Sequence, residues 1–153
     1  MEMPANGTTT PRVDRSTQES AASGGASEST LLPLSKIEQD LKKPVPERLL
    51  ETKRMGGEDI TFCPWYRVQK ILDHYTGGFW EYEVRDKTIT GSHLLLTVRI
   101  YIHAREGTFH REGTGIEELD VESYGDPQSN AESMAFRRAA SRWGVGLDLY
   151  ENN

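Results

Sequence analysis

One cysteine, Cys63, occurs in 153 residues. No disulfide can form within the chain, and a reducing compartment is the expectation. No apolar run approaches the ~20 residues of a membrane-spanning helix. Residues 1–30 contain no Leu, Ile, Phe, Trp or Tyr. Such a stretch cannot bury enough apolar surface to offset the entropy of ordering it, so it reads as a disordered Ser/Thr/Gly-rich tail. It lacks the apolar centre of a signal peptide, and Glu2, Asp14 and Glu19 interrupt it where a transit peptide is free of acids. No Gly-Lys-Ser/Thr loop is present, which argues against nucleotide hydrolysis. No nucleophile elbow is present either. His103 and His110 flank one turn and could meet across a hairpin, but no third metal ligand accompanies them.

Basic residues are outnumbered, 18 to 24, for a net charge of −6. By itself this disfavours a polyanionic partner. Charge is screened over ~8 Å at physiological salt, so a local arginine cluster can hold phosphate while acids elsewhere keep the particle soluble.

Residues 31–153 are long enough for one domain with a real core. Residues 31–50 read as a short helix capped by Ser35, an extended link through Pro44 and Pro46, and a second short element. Lys42, Lys43, Lys53 and Arg54 are interleaved with acids and read as solvated charge, or else as a second nucleic-acid contact. Residues 51–59 carry Gly56 and Gly57 and read as a loop or twisted extended arm. A helix is expected over 62–75, with Pro64 in its first turn and Gly77–Gly78 ending it. Its buried stripe is Trp65, Val68, Ile71, Leu72 and Tyr75, and Arg67 falls off that stripe.

Three strands are expected next. In 79–86, Trp80, Tyr82 and Val84 alternate with charged residues. In 93–103, Leu94, Leu96, Val98, Ile100 and Ile102 keep a clean period of two. In 108–115, Gly113 and Gly115 allow a bulge or a close backbone approach. Residues 87–92 and 104–107 make the turns, and the acidic stretch 116–124 leads back across the sheet. The order is helix, three-stranded antiparallel β-meander, helix: an α+β domain with a β-β-β-α core.

The closing helix, within 125–144, has both ends written in. Either Ser129 with Glu132 forms a capping box, or Asp126–Pro127 opens the first turn. Gly144 supplies the terminating left-handed residue. Phe136, Ala139, Ala140 and Trp143 share the face that should meet the core. Arg138 and Arg142 lie one turn apart on another side, and Arg137 on a third. Alanines beside arginines leave room for a partner's backbone. The basic side reads as solvated charge or as a phosphate-binding surface.

Tyr124, Gly125, Asp126, Pro127, Ala131, Glu132, Ser133, Ala135, Phe136, Arg137, Arg138 and Ala139, followed by Trp143, Gly144, Gly146, Leu147, Leu149 and Tyr150, resemble the closing helix of the Rad-fifty-two superfamily of single-strand annealing proteins, in its DdrA-like form. Upstream, Arg67–Val68 on a helix and the Gly77–Trp80 turn before the meander fit the same pattern. The resemblance covers about 62–150, and its last helix is the specific part.

What the resemblance implies is a ring- or arc-forming domain that binds single-stranded DNA in an outer groove, backbone inward. It needs no ATP or other cofactor, and it anneals complementary strands in recombinational double-strand break repair. Arg67, Arg137 and Arg138 fall on DNA-contacting positions of the family. A further family arginine falls on Ser141, and Arg142 beside it stands as the candidate for that role. The family's second DNA site has no clear counterpart here. The implied partners are single-stranded DNA, other copies of the chain, and recombination proteins recruited by the tail, with no membrane. A cytoplasmic, nucleoid-associated location follows if the chain is bacterial or phage-derived. Competing expectations are a DNA-end protector that coats strands without annealing, a double-stranded-RNA-binding module and, with least support, a metal-dependent nuclease.

Overall fold

The computed structural model describes residues 31–119 and 126–152. The tail and most of the acidic return lie outside the described residues.

Helix α1 (Leu34–Leu41) begins after Pro33 with no side-chain cap, so Ser35 does not serve as one. The free Leu34 N–H instead donates to Glu106 Oε1 at 2.9 Å, from a turn 72 residues away. Ile37 and Leu41 bury the inner face of α1. After the Pro44–Pro46 link and a 3-10 turn (Glu47–Leu49), the chain forms a hairpin of β1 (Glu51–Met55) and β2 (Glu58–Phe62). The loop or arm expected here is therefore paired. Gly56 and Gly57 take φ of 60° and 85°, the left-handed pair that a two-residue hairpin turn requires.

Helix α2 (Trp65–Thr76) follows Pro64 and stops at Gly77, φ 70°. Phe62 and Cys63 precede it. Val68 and Leu72 are buried, but Trp65 is 46% exposed and does not belong to the buried stripe. It stands in the first turn, where the helix projects beyond the core.

The meander is β3 (Trp80–Thr90), β4 (His93–Ala104) and β5 (Gly107–Glu118), antiparallel in that order. The strands run longer than their hydrophobic alternation, because the ladder continues through polar residues to two-residue turns. Thr90 pairs with His93 and Ala104 with Gly107. Residues 116–118, expected to lead away, remain in β5. His103 lies opposite Thr108 and His110 opposite Tyr101, so the two histidines do not face each other.

Leu94, Leu96, Val98, Ile100 and Ile102 are buried on the core side of β4, with α3 (Pro127–Trp143) packed over β4 and β5. Asp126 caps α3, accepting the Gln128 N–H at 3.2 Å, with Pro127 first in the helix. The capping box is not used: Glu132 accepts instead from the Tyr82 hydroxyl at 3.2 Å. Phe136, Ala139, Ala140 and Trp143 are buried as the periodicity requires, and the Trp143 indole N–H donates to the Ile100 carbonyl at 3.3 Å.

The glycines of β5 set how closely α3 approaches. A Cβ on Gly113 would lie 2.3 Å from Ala139 N, and one on Gly115 2.2 Å from Ala131 O. The alanine row thus meets the chain's own β5, not a partner's backbone. After Gly144 (φ 116°), α4 (Leu147–Asn152) closes the fold. Among the described residues no helix is long and apolar enough to cross a membrane.

Candidate nucleic-acid interface

The hairpin β1–β2 leans toward the outer side of α3 and α4 and leaves a cleft of about 280 Å³. Three cations line it: Lys53 of β1, and Arg137 and Arg138 of α3. Among the described residues no Asp or Glu lines it, although acids outnumber bases in the chain. Its floor is apolar, from Phe62, Val68, Met134 and Leu149.

Arg137 is half-buried. Its guanidinium lies over the Phe62 ring, 5.4 Å from the centroid, and the Lys53 ammonium lies 5.0 Å from the same centroid. Burial pulls the Arg137 pKa below its ordinary value; Tyr150 and Cys63 oppose that, while neighbouring Arg138 adds to it. Arg137 has no hydrogen-bonded or ion-paired partner among the described residues. A cation that is partly desolvated and lacks a counter-ion is a receptor for an anion.

Arg138 is exposed, and one Nη donates to the Thr114 carbonyl of β5 at 2.8 Å. That bond fixes the guanidinium at the rim. Arg138 also lines a second, open trough with Arg142, Ser141 and Gly113. The trough's carboxylate, Glu112, is held by Arg99 at 2.7 Å. Arg138 and Tyr150 border both depressions, so cleft and trough form one basic path along α3.

Arg67 is placed differently. It rises from the first turn of α2, with Nη1 donating to the Arg48 carbonyl at 3.4 Å and Nη2 3.9 Å from Glu51 Oε2. Its side chain does not line the cleft. Cys63 joins the two regions: burial pushes its thiol up to about 11, and Arg67 and Arg137 both oppose that rise. Both guanidinium groups therefore act on the one sulfur. The structure brings Arg137 and Arg138 together, sets Arg142 along the trough, and leaves Arg67 outside the cleft with a carboxylate beside it.

Lys53 was undervalued by sequence reasoning, which grouped it with solvated lysines. Its signal was Gly56–Gly57: a tight turn there folds residue 53 back over α3. Glu51 and Lys53 also stand in Glu-x-Lys order, as in metal-dependent nucleases. Here Glu51 is engaged by the Tyr66 hydroxyl at 2.9 Å and by Arg67. No cluster of three His, Cys, Asp or Glu suited to a metal occurs among the described residues.

Fold and cleft define an α+β domain with a three-stranded meander, a covering helix and an unpaired basic groove suited to a phosphate chain. No family model matches the chain. It is 35% identical over 123 residues to the DNA repair RAD52-like protein 1, mitochondrial, of Arabidopsis thaliana, a match covering 79% of this chain and 69% of that protein. It is 33% identical over 129 residues to the DNA repair RAD52-like protein 2, chloroplastic, of the same plant, covering 82% of this chain and 64% of that one. The chain belongs to the RAD52-like family, the superfamily its closing helix resembles.

Proposed function

We propose that this protein acts in DNA repair, binding single-stranded DNA along the α3 path and annealing complementary strands without ATP and without enzymatic chemistry. The observation that carries the reading is the cleft, lined by no carboxylate among the described residues, in which Lys53 and Arg137 flank Phe62. Guanidinium groups match phosphate bidentately and carry no base preference, which suits a strand of any sequence. With Lys53, Arg67, Arg137 and Arg138 each on a phosphate, the salt slope is about −2.8 per protomer. One such site is weak. Copies arranged side by side on one strand multiply it through effective concentration, so assembly into a ring or arc belongs to the proposed mechanism. The names of the two relatives support the repair role.

The test mixes two complementary labelled oligonucleotides with the protein, without nucleotide, and follows energy transfer between the labels. Pairing faster than the spontaneous rate is the expected result. Strand binding without acceleration would reduce the function to coating and protecting single strands.

A further inference from the structure

Beside the phosphate path lies a feature that charge does not account for. Trp65 and Tyr66 are consecutive, 46% and 43% exposed, at the start of α2. Their rings meet edge to face at 5.9 Å, and the Arg67 guanidinium lies 5.7 Å from the Tyr66 centroid. The phenol thus contacts both cation and indole. Trp65 also walls a pocket of about 170 Å³ shared with Tyr82 and Phe136. Those two rings contact each other at 5.2 Å. The pocket's polar groups among the described residues are the Gln69 amide, the Tyr82, Ser129 and Ser133 hydroxyls, and the Glu132 carboxylate, which accepts from Tyr82.

We propose that Trp65 is a stacking platform for a nucleobase of the bound strand, which lies with its ring face on the indole and its pairing edge free for a complementary strand. This rests on the single-strand reading above. A flat ring exposed in water beside a phosphate-binding arginine matches a chain that alternates phosphates with planar bases. Glu132 repels a phosphate, which keeps the phosphate at Arg67 and the base against Trp65, and stacking by the ring face suits a base of any kind. A second copy of this chain is the competing occupant.

The chain supplies its own probe. Of its three tryptophans, Trp80 and Trp143 are 3% and 2% exposed, so a fluorescence change on strand addition reports Trp65. A twelve-nucleotide oligothymidylate and an abasic strand of equal length are each titrated, with anisotropy recorded in parallel. The expected result is quenching by the oligothymidylate alone, with the abasic strand binding about tenfold more weakly. Trp65→Ala, with unchanged circular dichroism, should bind both strands equally, whereas Trp65→Phe should keep most of the preference. Binding of both strands without quenching, or wild-type affinity in Trp65→Ala, would overturn the platform but leave the phosphate cleft standing. Binding of neither strand would overturn both. Loss of iodide access to Trp65 as protein concentration rises, before any strand is added, would assign the surface to a second copy and overturn the proposal.

Discussion

Lys53 and Arg137 share one ring: the ammonium and the guanidinium lie 5.0 and 5.4 Å from the Phe62 centroid, and among the described residues no carboxylate lines the cleft. The ring's negative face stabilises two like charges that would otherwise repel. A phosphate is the natural third member. Lys53→Ala is therefore expected to weaken single-strand binding and to reduce the salt slope by about 0.7. Anisotropy titrations from 50 to 300 mM salt would read this, and an unchanged slope would remove Lys53 from the interface.

Glu51 stands beside Arg67, where it would compete with a strand under the proposed function. Its Oε2 lies 3.9 Å from Arg67 Nη2 and accepts from the Tyr66 hydroxyl at 2.9 Å. That bond, first, and desolvation and the nearby carboxylate, second, raise the Tyr66 pKa. An exposed pair of this kind contributes roughly 0.5–1 kcal/mol. Glu51→Gln should free Arg67 and tighten strand binding by about two- to fivefold. Weaker binding in that variant would mean that Glu51 holds Arg67 in its working position.

The contact between α3 and β5 leaves no space for a side chain. With a Cβ on Gly113 at 2.3 Å from Ala139 N, the helix carrying the arginines must move. Gly113→Ala is expected to cost at least about 3 kcal/mol, because the obstacle is backbone and not a flexible side chain. Thermal unfolding would measure the loss. A shift in Tm of under a few degrees would show that the helix can ride outward.

Cys63 gives a pH signature. Burial holds its thiol at about 11 in the folded chain, against 9.0 ordinarily. The folded state favours the protonated form, so its stability contribution is complete below pH 9 and is lost between pH 9 and 11. Alkylation by iodoacetamide should stay slow through pH 9 in the folded protein and become fast on denaturation. Rapid alkylation of the folded protein at pH 8 would show an accessible thiolate in the cleft. A strand laid over the cleft should slow the reaction further.

The sequence read most clearly where local signals agreed with packing. Helix α3 carried Pro127 near its start and Gly144 at its end, and β4 kept five apolar residues at a strict period of two. The hairpin β1–β2 was missed because neither strand alternates: Glu51 to Met55 is exposed throughout, so no buried face imposes a pattern. Only the glycine pair marked it. Trp65 was misplaced because a large apolar residue at helical spacing normally lies inside, and the first turn of α2 extends past the core. Spacing alone set Arg138 beside Arg142 and Arg137 apart; the resemblance paired Arg137 with Arg138, and both line the one cleft. The apolar floor beneath Arg137 was not, since it joins residues from β2, α2, α3 and α4 that only the tertiary fold brings together.

The central claim is that phosphates bind the basic path on α3. The most direct measurement is anisotropy of a labelled single strand with Arg137→Ala/Arg138→Ala, beside circular dichroism of the same sample. The account predicts a native spectrum, binding weakened by an order of magnitude or more, and a salt slope reduced from about −2.8 to about −1.4. A folded double variant that binds with wild-type affinity and slope would contradict it.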